Sequence, residues 1–292
     1  MEIALLLVIS TFVAGFWAMN NCKCGSPHFF TNQPLVADVP CGRRKLGRAA
    51  KVVGGENATE GEFPWLVSLT RRDPSRARFV FAILAHSHHH TGSSPIPTNQ
   101  IRVTVAQHDL VLPSPYKYER SVHSAILHPE YICNKVKNDL AILELEKELE
   151  WSDRVLPACL PETTGGKQLD DVLATVAGWG WTNENNQLGG RADTLQKATV
   201  NILKMETCRA WYKSQGKKTK IHDTQICAGY EQGGIDSCWA DSGGPLMVTT
   251  NSGEQMVVGV VSTGIGCARP LLPGLYTRVS DFIPWIESVV KK

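Results

Sequence analysis

The sequence has little excess charge of either sign, and this limits the partners that it can attract. Its 292 residues include 30 lysines and arginines against 28 aspartates and glutamates, a net charge of +2 at neutral pH. Long-range attraction to nucleic acid or to an anionic membrane needs a strong positive excess. The overall composition therefore predicts neither partner, and a hydrophobic content of 42% indicates a globular chain with a sizeable core.

Long hydrophobic runs are also scarce. The first 18 residues, MEIALLLVISTFVAGFWA, form an apolar run, and no second one follows. The run is short for a membrane span and ends in small residues, which is typical of a secretory signal peptide. We predict a signal peptide over residues 1–18 and a secreted, extracellular protein without membrane association; an uncleaved anchor is the alternative.

The number of cysteines in the chain is odd. It has nine, and export favours disulfide bonds because it exposes the chain to an oxidising compartment. The odd count leaves at least one thiol without an internal partner. The triplet Asn57-Ala58-Thr59 is a sequon, which suits an exposed and glycosylated position.

The rest of the chain divides at residue 51. Residues 19–51 have no sustained periodicity and contain the basic tract GRRKLGRAAK, so we interpret them as a pro-segment. From residue 52 on, short β-rich runs alternate with turn-rich stretches, and residues 281–290 have helical spacing. No internal repeat is present. This pattern predicts an all-β domain over residues 52–292, a sandwich or barrels, with a C-terminal helix.

The stretch Asp236–Leu246, DSCWADSGGPL, carries the strongest chemical signal. A serine becomes a nucleophile when a base takes its proton and nearby N–H groups hold the oxyanion that forms. Small residues around Ser242 let such backbone donors approach a carbonyl group. Three further motifs accompany it: KVVGG at residues 51–55, NDLA at 138–141, and VSTG at 261–264 with PGLY at 273–276.

Together these motifs resemble the trypsin-like serine proteases of the chymotrypsin family, and the resemblance covers residues 52–290. It implies two six-stranded antiparallel β-barrels, with the active site between them and a C-terminal helix. Ser242 would be the nucleophile and Asp139 the carboxylate that orients a histidine. The backbone N–H groups of Ala240 and Ser242 would form the oxyanion hole.

The resemblance also implies a specificity and a means of activation. Asp236 would form the floor of the substrate pocket and select Arg or Lys, because a buried carboxylate favours a cation. Gly264 and Gly274 would keep that pocket open. Cleavage after Lys51 would free the α-amino group of Val52, which would pair with Asp241 beside the nucleophile.

Three disulfide bonds follow from the same resemblance. Two belong to the second barrel and the third tethers the pro-segment: Cys208–Cys227, Cys238–Cys267 and Cys41–Cys159. No family bridge accounts for Cys22, Cys24 and Cys133.

The catalytic histidine would fall in an unusual stretch, FAILAHSHHHTG at residues 81–92. The family pattern predicts roughly ten more residues before this point, and Ser87 stands where a bridging cysteine belongs. We therefore expect an incomplete first barrel, which a lost exon would explain. His86 best matches the family histidine and His88 is second. A metal site is a third reading, but adjacent histidines do not converge readily on one ion, so we expect no metal and no cofactor.

The sequence thus predicts a secreted, zymogen-activated serine endopeptidase that cleaves protein or peptide substrates after Arg or Lys. An activating protease and protein inhibitors would be its partners. The alternative is a homologue that has lost its histidine and acts as a binding protein. A histidine-rich metal-binding module is a third possibility, because residues 88–90 are all histidine.

We expect the chain as written to be a weak enzyme even after cleavage at Lys51. A general base has to lie within about 2.6–3.2 Å of the serine oxygen, and His86 would approach from a shortened barrel. The test compares this chain with one in which a family-like histidine segment is restored, both cleaved and titrated with an acylating inhibitor. Equal labelling and turnover would contradict the prediction and make His86 a working base.

Overall fold

The computed structural model describes residues 7–9, 39–44, 55–71, 78–79, 97–132, 135–163, 169–185 and 190–290. The histidine cluster at residues 86–90 and the cleavage site Lys51–Val52 lie outside these residues. The same holds for residues 1–6 and 10–18 of the predicted signal peptide and for residues 19–38 and 45–51 of the predicted pro-segment. Cys22, Cys24 and Cys133 are also outside the described residues. The described residues form two antiparallel β-sheets and two α-helices, which confirms the all-β prediction.

The strands are short, as the alternation of β-rich runs and turns predicts. In chain order they are β1 (Leu7–Ile9), β2 (Glu56–Asn57), β3 (Ser68–Arg71), β4 (Arg78–Phe79), β5 (Ile101–Val105), β6 (Tyr118–Leu127), β7 (Ala141–Leu145), β8 (Leu173–Gly178), β9 (Gln196–Leu203), β10 (Gln225–Ala228), β11 (Pro245–Thr249), β12 (Gln255–Thr263) and β13 (Gly274–Arg278). The helices are α1 (Met205–Ser214) and α2 (Ile283–Val290).

The second half of the chain closes into a six-stranded barrel. Around the ring the order is β8, β9, β10, β13, β12, β11 and back to β8, and β2 adds to β9 from outside. Inward-facing aliphatic side chains fill the barrel. The family resemblance implies one further bridge, with cysteines where this chain has Ala174 and Val248. Both residues are buried in this cluster, so apolar contact occupies that place.

The first half forms a six-stranded sheet in the order β1-β7-β6-β5-β3-β4. Within the described residues no ladder joins β4 to β1, so this sheet is not closed there. Strand β1 pairs with β7, with Leu7 opposite Leu143 and Ile9 opposite Ala141. Residues 7–9 thus lie beside the strand that leads away from Asp139.

A shared core joins the two sheets to the C-terminal helix. Leu140 and Ile142 from the first sheet meet Met247 and Val260 from the second, and Phe282 at the start of the C-terminal helical segment packs on them. The Trp179 indole N–H also donates to the carbonyl oxygen of His108 at 2.9 Å. This hydrogen bond links the segment after β8 to the segment after β5, and so connects the two sheets.

Helix α1 is a feature that the sequence analysis does not predict. Its apolar residues Met205, Cys208, Trp211 and Tyr212 have helical spacing, but they follow a long strand without a polar capping residue. Cys208 and Tyr212 are buried against β10 and β13. The predicted C-terminal helix is present as α2, preceded by a short 3-10 turn over Val279–Phe282.

Residues 39–44 of the predicted pro-segment are docked on the domain. Cys41 is bonded to Cys159, and Gly42 donates to Pro157 and accepts from Gln255, both at 2.9 Å. Gly42 has φ of +63°, and a Cβ there would meet the backbone of Gln255. Glycine is needed at this position because the two backbones touch.

Cleavage at Lys51 should leave the pro-segment attached to the domain. The Cys41–Cys159 bond spans the cleavage point, so we expect one band on a non-reducing gel and two bands after reduction. A Cys41→Ser, Cys159→Ser double variant serves as control and should release the segment without reductant. Release of the segment from the unmodified chain without reductant would disprove the tether.

Candidate active site

Ser242 lies on a tight turn between Cys238 and β11. The Asp241 N–H donates to the carbonyl oxygen of Cys238 at 3.0 Å, and the Gly244 N–H donates to that of Asp241 at 2.8 Å. Gly243 has φ of +84°, and a Cβ on Gly244 would lie 2.8 Å from the carbonyl oxygen of Asp241. The two glycines after the serine are therefore required by the turn itself.

Asp139 is buried between the sheets, where two hydroxyl groups hold it. The Ser262 hydroxyl donates to the Asp139 carboxylate at 2.6 Å, and the Thr277 hydroxyl donates to its backbone oxygen at 2.8 Å. Only 1% of Asp139 is exposed. Ser262, the hydroxyl partner of Asp139, lines the same pocket as Ser242.

Asp236 lies at the base of that pocket. Its carboxylate accepts hydrogen bonds from the Ser237 N–H at 2.8 Å and from the Ala268 N–H at 3.3 Å. Burial raises the pKa of Asp236 to about 7, although these two hydrogen bonds act in the opposite direction. The carboxylate is therefore held in place but insufficiently solvated, which is the condition under which a buried acid favours a cation.

The pocket walls are made by β12 and by the turn before β13. A Cβ on Gly274 would lie 2.7 Å from the Asp236 carboxylate, whereas a Cβ on Gly264 would meet nothing closer than 3.5 Å. Glycine is thus required at position 274 because a side chain would collide with Asp236. At position 264 a side chain would instead extend into the open pocket. The Cys238–Cys267 disulfide joins the loop that carries Asp236 and Ser242 to the loop between β12 and β13.

Asp241 points away from this pocket into a second, larger cavity. The N–H groups of Gly180 and Cys238 donate to its carboxylate at 2.8 and 2.9 Å. Burial raises its pKa to about 6, while these bonds and the charge of Arg191 lower it. A Cβ on Gly178 or Gly180 would collide with the carboxylate, so these glycines make room for it.

Ala240, the candidate oxyanion residue, has φ of +74°. This left-handed conformation costs a residue with a Cβ about 1 kcal/mol or more. Ala240 lines the pocket together with Ser242. The backbone of the loop is therefore in a conformation that glycine would adopt without strain.

The structure gathers in one pocket five of the ten residues that the sequence analysis selected for catalysis, substrate binding and activation. They are Asp236, Ala240, Ser242, Gly264 and Gly274. His86 lies outside the described residues. Sequence reasoning missed Ser262 and Thr277 as partners of Asp139. It also missed the pair Ser237 and Tyr276 next to Asp236, whose two hydroxyl oxygens, one from each residue of the pair, are 3.1 Å apart. A serine at the end of the apolar strand MVVGVVS was the signal available for Ser262.

The described residues contain neither a metal-binding cluster nor a membrane-spanning helix. No three histidine, cysteine or acidic side chains within them are grouped so as to hold a metal ion. No helix within them is long and apolar enough to cross a bilayer.

Comparison with known proteins agrees with this geometry. The family model described as Trypsin matches residues 52–286. The chain is 37% identical over 270 residues to Serine proteinase stubble of Drosophila melanogaster. It is 34% identical over 257 residues to Transmembrane protease serine 9 of Rattus norvegicus, and 32% identical over 258 residues to Serine protease filzig of Drosophila melanogaster.

These matches place the chain in the trypsin family of serine proteases, to which it belongs. They cover 86%, 86% and 85% of this chain, but 32%, 23% and 15% of the respective relatives. The chain therefore spans about a third or less of the length of the curated relatives that it matches. The predicted family resemblance is confirmed.

Replacement of Ala240 by glycine should raise turnover of the cleaved chain. Glycine can aim its N–H at a developing oxyanion without strain, and a misdirected donor typically reduces the rate by about 10²–10³. The measurement is kcat together with thermal unfolding. Higher stability with unchanged kcat would mean that Ala240 already presents its N–H, and would contradict the prediction.

Proposed function

We propose that this chain is the zymogen of a secreted endopeptidase that cleaves proteins after Arg or Lys, with Ser242 as nucleophile and Asp139 as the carboxylate that orients the catalytic histidine. His86 is the proposed histidine. The N–H groups of Ala240 and Ser242 would hold the oxyanion. The observation that carries the specificity is the buried Asp236 carboxylate at the base of the pocket beside Ser242.

The case for a cationic substrate residue rests on the solvation of Asp236. The two backbone N–H groups satisfy only part of its hydrogen-bonding capacity, and its pKa of about 7 reflects the remaining unfavourable burial. A guanidinium or ammonium group would supply the missing donors and charge. The Ser237 hydroxyl also hydrogen-bonds to this carboxylate, and its oxygen could accept a hydrogen bond from the substrate's cation.

Asp241 supports the proposed activation. It is partly buried, and it lines one cavity with Gly55, which lies three residues after Val52. Three extended residues reach roughly 10 Å, so the new amino group of Val52 has a short tether to this cavity. An ammonium group there would offset the burial of the Asp241 carboxylate, which gives cleavage at Lys51 a physical means of ordering the neighbouring turn.

Secretion is supported by the three disulfide bonds, because such bonds persist in oxidising compartments. Asn57 of the sequon is exposed at the edge of the second sheet, and its amide oxygen accepts from Gln196 at 2.7 Å. A glycan on the Asn57 amide nitrogen would extend into solvent. The proposed partners are an activating protease that cuts after Lys51 and protein inhibitors that enter the pocket.

Replacement of Asp236 by serine should abolish the preference for Arg and Lys. Loss of one partner of a buried charge pair costs enough to lower kcat/KM for Arg substrates by about 10²–10³. Cleavage of peptides with matched Arg and Leu residues before the scissile bond measures the preference. Unchanged selectivity for Arg would show that the pocket is wrongly assigned.

Binding of benzamidinium to the unmodified chain should strengthen as pH rises. The ligand needs the ionised carboxylate, and the pKa of Asp236 is about 7, so affinity should fall about tenfold for each pH unit below that value and level off above it. Calorimetry across pH 5 to 9 gives the profile. Asp236→Asn is the matched control; a pH dependence that persists in it would assign the titration to Asp241.

A further inference from the structure

The net charge of +2 conceals a strong local excess of lysine. Six lysines from two segments form what we call the lysine patch: Lys135, Lys137, Lys213, Lys217, Lys218 and Lys220. Residues 213–220, KSQGKKTK, contain four of them and no acid. All eight residues of this segment are exposed.

The segment that carries the four lysines is held rigidly at both ends. Helix α1 ends with the Gly216 N–H donating to Lys213 and the Lys217 N–H donating to Tyr212, both at 3.0 Å, and Gly216 has φ of +65°. This pattern is a Schellman motif, which fixes the direction in which the chain leaves a helix. At the other end Ile221 is buried against the helix. The loop is therefore preorganised.

The second segment lies against the first through His222. The His222 side chain hydrogen-bonds to the backbone of Lys135, and the charges of Lys220 and Lys137 both act on it. The pKa of His222 is lowered, chiefly by burial and further by these two lysines. Lys135 and Lys137 thus extend the positive surface from residues 213–220 towards Asp139.

The acids near the patch are engaged elsewhere. Asp223 is paired with Arg209 at 2.6 Å, and Glu130 accepts from the amide of Asn138. By contrast, Lys204 at the start of α1 pairs with Asp171 at 3.7 Å. Among the described residues, no ion pair involves any of the six patch lysines. Their charge is therefore uncompensated at close range.

We propose that the lysine patch binds a sulfated polysaccharide. Clustered lysines on a rigid surface attract polyanions, and the run GKKTKI places three lysines within four positions on an exposed loop. Nucleic acid is the other common polyanion, but the disulfide bonds fit an extracellular setting, where sulfated polysaccharides are the abundant polyanions. This choice of ligand rests on the secretion proposed above, but not on catalysis.

The patch lies beside the active site without forming part of it. None of its lysines lines the pocket at Ser242, and Lys137 is two residues from Asp139. The Tyr212 hydroxyl, in the last turns of α1, donates to the carbonyl oxygen of Pro273 at 2.8 Å, directly before Gly274. A polysaccharide bound to the lysine patch would therefore lie near the pocket at Ser242 without occupying it.

The test measures binding of the full chain to a heparin oligosaccharide over a series of salt concentrations. We expect the variant Lys217→Gln, Lys218→Gln, Lys220→Gln to bind at least about tenfold more weakly at low salt, with a slope of log affinity against log salt reduced by about three. The variant Lys135→Gln, Lys137→Gln should also lose affinity. No active enzyme is needed, so failure here is distinct from failure of the proposed protease activity.

Matched controls separate the patch from overall charge and from misfolding. The variant Arg43→Gln, Lys147→Gln, Lys204→Gln removes the same charge and should keep the affinity and slope of the unmodified chain. Substitution of Lys217, Lys218 and Lys220 by arginine should preserve binding. Equal weakening by the control triple would overturn the proposal, as would equal binding of desulfated heparin, of polyglutamate or of a DNA oligonucleotide of matched charge.

Discussion

The burial of two carboxylates five residues apart, Asp236 and Asp241, is the constraint on which the candidate site depends. Burial raises their pKa values to about 7 and about 6, and at Asp241 the charge of Arg191 opposes part of this rise. An acid whose pKa is higher in the folded state than in the unfolded state stabilises the fold only while it is protonated. For Asp236 the free energy of unfolding should therefore decrease as pH rises from about 4 to 7. At neutral pH both positions therefore favour the arrival of a positive charge.

Glycines surround these two carboxylates and leave the space that they occupy free of other side chains. Gly178, Gly180 and Gly274 each lack a Cβ where one would strike a carboxylate oxygen. The disulfide Cys238–Cys267 then fixes the loop that contains both acids to the opposite wall. Ser242 directly follows Asp241 and lines the pocket with Asp236. The proposed activation at Asp241 and the proposed substrate binding at Asp236 would therefore act on the same loop.

Much of the site could be predicted because its chemistry is concentrated in contiguous motifs. DSCWADSGGPL contains Asp236, Ala240, Asp241 and Ser242 within one loop, and the short strands follow from turn residues between β-rich runs. Ser262 and Thr277 were missed because they reach Asp139 across more than 120 residues of sequence. Helix α1 was missed because its stability comes from burial of Cys208 and Tyr212, which local propensity does not report. His86 stays a prediction.

The cations of this chain, whose net charge is +2, fall into two groups: some are neutralised by acids within the fold, and others are exposed without an ion pair among the described residues. At the pro-segment, Glu62 is buried and contacts both Arg44 at 3.2 Å and Lys197 at 2.8 Å, so these cations are neutralised within the fold. Lys197 has its pKa raised, since its bonds to Glu62 and Glu56 outweigh burial. Among the described residues, the lysines of residues 213–220 form no ion pair with an acid. Arg44 and Lys197 thus connect the pro-segment and β9 to Glu62, whereas the cations of the lysine patch remain available to an external anion.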